Sequence, residues 1–218
     1  MTITYLILAH GEPSVLELID YIKIHRDEGD KIVVLNDPTT GEFRQQLNLK
    51  CVKVVEHKLE KDYSAHRNSA LSCLKTDYTF ALDADEVPHF KLMKQIKGIL
   101  ADADYPEIVN IPRYNIFDGV LPVHCLMYGW TLKDGIVQWP DYQSRLFKNK
   151  QGIKWVGALH EGLKGQKNHR VVNLPKKREL TIIHHKNMTK QIADNARYAA
   201  GWSAEENAGL ATKQLLTK

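Results

Sequence analysis

The sequence predicts an α/β fold with a mostly parallel central sheet, flanked by helices and followed by an antiparallel C-terminal extension. Three observations carry this. Short apolar runs at residues 5–9, 32–35 and 78–82 have the length and composition of buried strands. Between the first two, Val15, Leu18, Ile19 and Ile22 recur at helical spacing. Strands that alternate with helices are the pattern of crossover connections, which parallel neighbours require. A chain of 218 residues can bury a sizeable core without disulfides or a structural metal.

Taken in order, residues 2–8 read as the first strand, closed by the turn-like His10-Gly-Glu-Pro13. Pro13 suits the first turn of a helix, where its missing N–H would be unpaired anyway. Gly29 stops that helical region, and residues 32–35 form the second strand, ended by Asn36-Asp37-Pro38. Residues 51–55 make a third. Ser64 is placed to cap a helix that runs to about residue 75. The fourth strand, 78–82, leads straight into Asp83-Ala-Asp-Glu86. A short helix from 90 to about 100 precedes a strand at 108–114. Residues 115–142, rich in Gly, Pro and aromatics, read as loops and short strands walling a cleft. Strands at 142–147, 154–159 and 179–184 read as antiparallel, and a final helix spans 189 to about 208, with Gly201 a break. With no repeat and no low-complexity linker, the expected organisation is one domain of three stretches, 1–100, 101–190 and 191–218.

Several function classes lose support at once. The longest apolar run near the start is far too short for a membrane span, and no basic segment precedes it, against a signal peptide. Cys51, Cys73 and Cys125 form no CxxC pair and are odd in number, which fits free thiols and a cytoplasmic location. There is no GxxxxGK[ST] loop, no GxGxxG after the first strand and no GxSxG elbow. The net charge of +4 hides an asymmetry: residues 1–144 hold 15 Lys/Arg against 21 Asp/Glu, whereas 145–190 hold 12 against 2. That basic block is either a solvated face or a surface for something anionic.

Four sets of residues can carry chemistry. In Leu82-Asp-Ala-Asp-Glu86, two carboxylates two apart in extended backbone would share one side, an arrangement suited to a hard divalent cation completed by substrate phosphates. Both this loop and Asp37 follow strand carboxyl ends, where open α/β sheets bind ligands. Trp155-Val-Gly-Ala-Leu-His-Glu161 lacks the second histidine of HExxH, since Lys164 stands there; Glu161 remains a candidate general base or the partner of a nearby cation. In Ile182-Ile-His-His-Lys186, alternation sends His184 and His185 to opposite faces, so at most one enters a given site. Arg67-Asn68 can contact phosphate or cap a sheet edge.

In order and spacing, several segments resemble family 2 glycosyltransferases of the GT-A fold, in the subgroup related to lipopolysaccharide-core glycosyltransferases. They are Tyr5-Leu-Ile-Leu-Ala-His10, His66-Arg-Asn-Ser-Ala70, Leu82-Asp-Ala-Asp-Glu86, Gln143-Ser-Arg-Leu-Phe147, Trp155-Val-Gly-Ala-Leu-His-Glu161 and Ile182-Ile-His-His-Lys186. The resemblance implies a nucleotide-diphosphate-sugar transferase, acting with inversion and with Mn²⁺ or Mg²⁺, on a UDP-sugar by preference. It assigns Asp37, Arg67, Asp83 and Asp85 to the donor, Asp85 and His184 to the metal, and Glu161 to activation of the acceptor hydroxyl. Residues 1–100 become the donor half and 101–190 the acceptor half. The Glu-Asp pair and later Gln-x-x-Arg-Trp of better-known members are absent, so Asp118 and Asp141 stand as further base candidates. Acceptors implied are lipopolysaccharide, another lipid-linked glycan, or hydroxymethylated DNA. Two rival functions use the same residues: a nucleotidyltransferase, and a non-catalytic nucleic-acid-binding module built on the basic 145–190 block.

Overall fold

The chain begins with β1 (Ile3–Ala9), α1 (Ser14–His25), β2 (Lys31–Asn36), α2 (Gly41–Leu49), β3 (Lys53–Glu56), α3 (Tyr63–Ser69), β4 (Tyr78–Leu82), β5 (Glu86–Pro88) and α4 (Phe90–Asp102). It continues with β6 (Ile108–Asp118), α5 (Pro122–Tyr128), β7 (Leu132–Lys133), β8 (Ile136–Lys148), β9 (Lys154–Val156), β10 (Gly162–Lys164), β11 (Val171–Asn173), β12 (Ile182–Asn187) and α6 (Met188–Gly201). This computed structural model describes residues 1–203 apart from 39, 40, 151 and 167.

The main sheet runs β3-β2-β1-β4-β8-β6-β12-β5, with β11 beside β6 and β7 beside β8; β9 and β10 form a separate pair. β1, β2, β3 and β4 are mutually parallel. β8 is antiparallel to both β4 and β6, so β6 points the same way as β4, and β12 follows β6 in parallel. The carboxyl ends of β1, β2, β4, β6 and β12 therefore share one sheet edge.

Alternation along the strands decides the two faces. Ile3, Tyr5 and Ile7 of β1 pack with Val15, Leu18, Ile19 and Ile22 of α1 and Leu92, Met93, Ile96 and Leu100 of α4. Leu6, Val33, Leu35 and Ala81 face the other way, onto Ala70, Leu74, Ile153 and Trp155. Each fully buried Leu or Ile here contributes roughly 1.5–3 kcal/mol of transfer free energy.

Several boundaries differ from the expectation for local reasons. α2 is an added helix, its inward side reduced to Phe43 and Leu47, too sparse a pattern to read from periodicity. The cap of α3 is Asp62, which accepts from Ala65 N at 2.9 Å, while Ser64 lies inside the helix and donates to Asp62. That helix stops at Ser69 and a 3₁₀ turn over Leu71–Cys73 replaces its second half. The stretch 115–142 is more regular than expected: β6 and β8 are long neighbours, and α5 lies between them. The strand expected at 154–159 ends at Val156, and the one at 179–184 begins only at Ile182 after a 3₁₀ turn. β12 is parallel to β6 and antiparallel to β5, so that extension is mixed. α6 ends at Gly201, where the break was expected, and the expected helix beyond residue 203 lies outside the described residues. Among the described residues no helix is long and apolar enough to cross a membrane.

Candidate active site

Asp37 leaves the end of β2 with its N–H donating to Ala9 O at 2.8 Å, which prolongs the β1–β2 ladder by one bond. Its carboxylate accepts from Leu59 N at 3.1 Å and meets His10 Nδ1 at 2.7 Å. His10 enters the site only through this contact. Behind it, His66 is buried 3.4 Å from His57, Nδ1 to Nδ1, and burial together with the His57 charge pushes its pKa down to about 4.

The acidic loop after β4 is a turn, not the extended backbone expected: Glu86 N donates to Asp83 O at 3.0 Å. The turn sends the carboxylates to different partners. Asp83 accepts from Arg67 Nη2 at 2.6 Å and from Arg145 Nη2. Burial pushes the Asp83 carboxyl up, but Arg145 and Arg67 outweigh it and hold the group well below the usual carboxylate range. Asp85 instead stands 3.5 Å from His184 Nε2; burial raises its pKa, and the imidazole more than reverses the effect.

Glu86, fully buried, has an acceptor role that the sequence did not announce. It takes Arg145 Nη2 at 2.7 Å, Arg113 Nη1 at 3.0 Å and the Asp83 N–H at 3.1 Å. Arg113 also pairs with Asp141 at 2.7 Å, and Asp141 further accepts from Asn115 at 3.0 Å and Gln143 at 2.6 Å. Asn115 in turn bonds His184 Nδ1 at 2.8 Å. The bonds form a circuit from Asp83 through Arg145, Glu86, Arg113, Asp141, Asn115 and His184 to Asp85. It draws on β5, β6, β8 and β12, whose register places these side chains together.

Arg67-Asn68 resolves into two roles. Asn68 pairs with the Trp155 backbone in both directions at 2.9 Å, which pins β9 to α3. Arg67, with its guanidinium 4.7 Å from the Trp155 ring centre, bridges Asp83 and Glu161, its Nε 2.5 Å from Glu161 Oε1. Glu161 therefore pairs with a cation from α3, outside the basic block. It lies past the end of β9, after a turn in which His160 takes a φ of 57°. Of the other base candidates, Asp141 is locked into the circuit, and Asp118 is exposed and pairs with His185 at 2.9 Å. His184 is buried and His185 exposed, as strand alternation requires.

The basic block is less uniform in space than in sequence. Arg145 is buried in the circuit, Lys148 and Lys150 lie within 4.0 Å of Glu107, Arg170 pairs with Asp104 and Lys186 with Asp194. In the circuit and its Arg67 branch, five carboxylates (Asp83, Asp85, Glu86, Asp141, Glu161) meet three guanidiniums, an excess of two negative charges. That excess suits one divalent cation. Among the described residues no three His, Cys, Asp or Glu side chains converge on a complete metal site. Asp85 and His184 can supply two ligands, and a hard cation of the Mg²⁺ type ordinarily takes the rest from substrate phosphates and water.

No curated protein matches the chain in sequence. Among solved structures, TarS of S. aureus superposes with a TM-score of 0.56 at 14% identity, over 85% of this chain and 37% of that one. TarS 1-349 in complex with UDP-GlcNAc gives the same score and identity, over 85% of this chain and 59% of that one. Glucosyl-3-phosphoglycerate synthase from Mycobacterium tuberculosis, in complex with Mn²⁺, UDP and glucosyl-3-phosphoglycerate, superposes with a TM-score of 0.50 at 15% identity, over 88% and 75% of the two chains. The chain thus spans between about a third and three fifths of the TarS chains, and it shares the GT-A fold with them. The family model for glycosyl transferase family 2 matches residues 6–164, from β1 through the Arg67-linked Glu161 to β10. The chain belongs to glycosyl transferase family 2, and the acidic loop with its arginines lies within the matched segment.

Proposed function

We propose that the chain transfers a sugar from a UDP-sugar to an acceptor hydroxyl with inversion, using Mn²⁺ or Mg²⁺ at Asp85 and His184. The observation that carries this is the split of the acidic loop: arginines claim Asp83, while Asp85 faces an imidazole nitrogen 3.5 Å away. With Nε2 protonated the imidazole bonds the carboxylate, and with Nε2 unprotonated the two groups can take a cation between them. When bound, the metal supplies Lewis-acid neutralisation of the leaving diphosphate. The chain's own residues do the rest. Asp37, at the end of β2, is placed to receive the donor's base or ribose. Arg67 Nη1 is a buried donor with no acceptor among the described residues, a costly state that a phosphate oxygen would relieve. Glu161, fixed by Arg67, is the base that takes the acceptor proton, a contribution of roughly 10²–10⁴-fold. The UDP-GlcNAc of TarS and the Mn²⁺ and UDP of the mycobacterial synthase support the donor and metal classes.

In this reading residues 1–100 bind the donor and 101–190 the acceptor. A lipid-linked glycan of the lipopolysaccharide-core kind is the acceptor class best supported. α5 follows β6 at the edge of the sheet that carries the site, and Leu121, Val123, Leu126 and Met127 there are all more than half exposed. A contiguous apolar segment at a site's rim is a feature of surfaces that meet lipid or protein. Calorimetry with UDP, GDP, CMP and ADP, in Mn²⁺ or in EDTA, tests the donor reading. The expected result is UDP binding that needs metal and is lost in Asp85→Ala. Binding that ignores metal would remove the proposed role of Asp85, and tight, salt-sensitive binding of plain nucleic acid with no nucleotide binding would restore the nucleic-acid module.

A further inference from the structure

The circuit beneath the acidic loop does more than neutralise charge, because one of its members has a fixed direction. Asn115 is 3% exposed, and its Nδ2 donates to Val137 O at 3.2 Å and to Asp141 Oδ2 at 3.0 Å. A backbone carbonyl and a carboxylate held by Arg113 can only accept, so the amide group has one permissible orientation. Its Oδ1 then faces His184 Nδ1 at 2.8 Å. That oxygen cannot donate, so the proton of this bond belongs to His184 Nδ1. A neutral imidazole carries one N–H, and with it at Nδ1 the Nε2 atom holds a lone pair. Nε2 is the atom that faces Asp85 at 3.5 Å. The Phe117 ring, edge-on at 5.5 Å, helps to hold the imidazole plane.

We propose that Asn115 is a positioning residue that fixes the Nδ1–H tautomer of His184, so that Nε2 and Asp85 present two ligands to one divalent cation. Asp141, Arg113 and Gln143 act behind it by holding the amide from flipping. The proposal rests on the metal reading given above, and it adds a residue of β6 that touches neither donor nor cation. Ligating histidines generally depend on such a hydrogen bond at the second ring nitrogen, and its loss typically costs 10–100-fold in metal affinity.

The test uses ¹⁵N-histidine-labelled protein, with the His184 signals assigned through His184→Gln, and Mn²⁺ titration in the presence of UDP followed by electron paramagnetic resonance. At pH 8.5, where imidazoles are ordinarily neutral, wild type is expected to show the Nδ1–H tautomer at His184 without any metal. Asn115→Ala should lose that preference and bind Mn²⁺–UDP 10–100-fold more weakly. A native circular dichroism spectrum and a cooperative urea transition for Asn115→Ala, with the signals of the other histidines unchanged, separate the effect from simple damage to the fold. An Nε2–H tautomer in wild type, or an Asn115→Ala protein with unchanged tautomer or unchanged Mn²⁺ affinity, overturns the proposal. Failure of wild type itself to bind Mn²⁺ with UDP would instead overturn the metal reading on which it rests, and the tautomer spectra tell the two failures apart.

Discussion

Arg145→Ala is the perturbation that most directly probes the buried circuit. Arg145 is 5% exposed, and its Nη2 donates both to Asp83 and to Glu86, the latter 0% exposed. Removing one partner of a buried ion pair costs about 3–5 kcal/mol, chiefly because the other charge stays buried without compensation. Here a second guanidinium remains for each carboxylate: Arg67 on Asp83 at 2.6 Å and Arg113 on Glu86 at 3.0 Å. The lower end, about 3 kcal/mol, is therefore expected, which corresponds to a fall in melting temperature of roughly 6–12 °C for a domain of this size. The pH dependence identifies the cause. The folded-state pKa of Asp83 is depressed, so its contribution to stability is present above the unfolded value of about 3.9 and is lost as pH falls through the folded value. Arg145→Ala raises the folded value, so the cost is full at pH 7 and shrinks only as pH falls through the variant's own folded value. Urea unfolding of both proteins at pH 7 and at pH 2 measures this. A variant within about 0.5 kcal/mol of wild type at pH 7, or a loss of equal size at both pH values, would refute the electrostatic account of the circuit.

Other consequences follow from the same geometry. Asp85→Ala should leave unfolding within about 1 kcal/mol of wild type, since among the described residues its nearest side-chain partner is His184 Nε2, as far as 3.5 Å away, yet lower transfer at least ~10²-fold, measured as UDP release. Glu161→Gln should reduce kcat by roughly 10²–10⁴-fold while the dissociation constant of UDP changes less than about threefold; parallel losses in both would remove Glu161 as base and leave it as a partner of Arg67. His66 is buried with a pKa near 4 against 6.5 in the unfolded chain, so the unfolded state binds more protons between those values and stability falls as pH drops through that window. The loss from this residue is at most about 3 kcal/mol, reduced by solvent screening, and His66→Gln should abolish that part of the pH dependence of urea unfolding.

The parallel half of the sheet was legible because its strands are buried on both faces and so are written as apolar runs, and because α1 announces itself by Val15, Leu18, Ile19 and Ile22. The positions of Asp37 and of the acidic loop followed from those strand ends. What the sequence left hidden is the partner of each carboxylate. Arg113 and Arg145 lie 27 and 59 residues from Glu86, and only the antiparallel register of β6 with β8 brings them to it. Alternation tells which face of a strand a residue occupies, but not which strand will lie alongside. Asp62 and Ser64 illustrate the same limit at short range: both can cap, they stand two residues apart, and packing of α3 on β9 through Asn68 selects the register.

The Asp-x-Asp pair shows why pattern and role come apart. In sequence its two members are equivalent, and an extended strand would have kept them so by pointing both to one side. The turn closed by Glu86 N and Asp83 O breaks that equivalence. Asp83 is drawn under the loop to two arginines, a position in which a carboxylate is neutralised by the protein and contributes to rigidity. Asp85 is left with an imidazole whose hydrogen bond to Asn115 dictates where its proton sits, a position in which negative charge is still available to a ligand. Asp85 carries one of the two excess carboxylate charges, and in the proposed reading that local charge, together with a lone pair of fixed direction, makes a binding site out of an acidic turn.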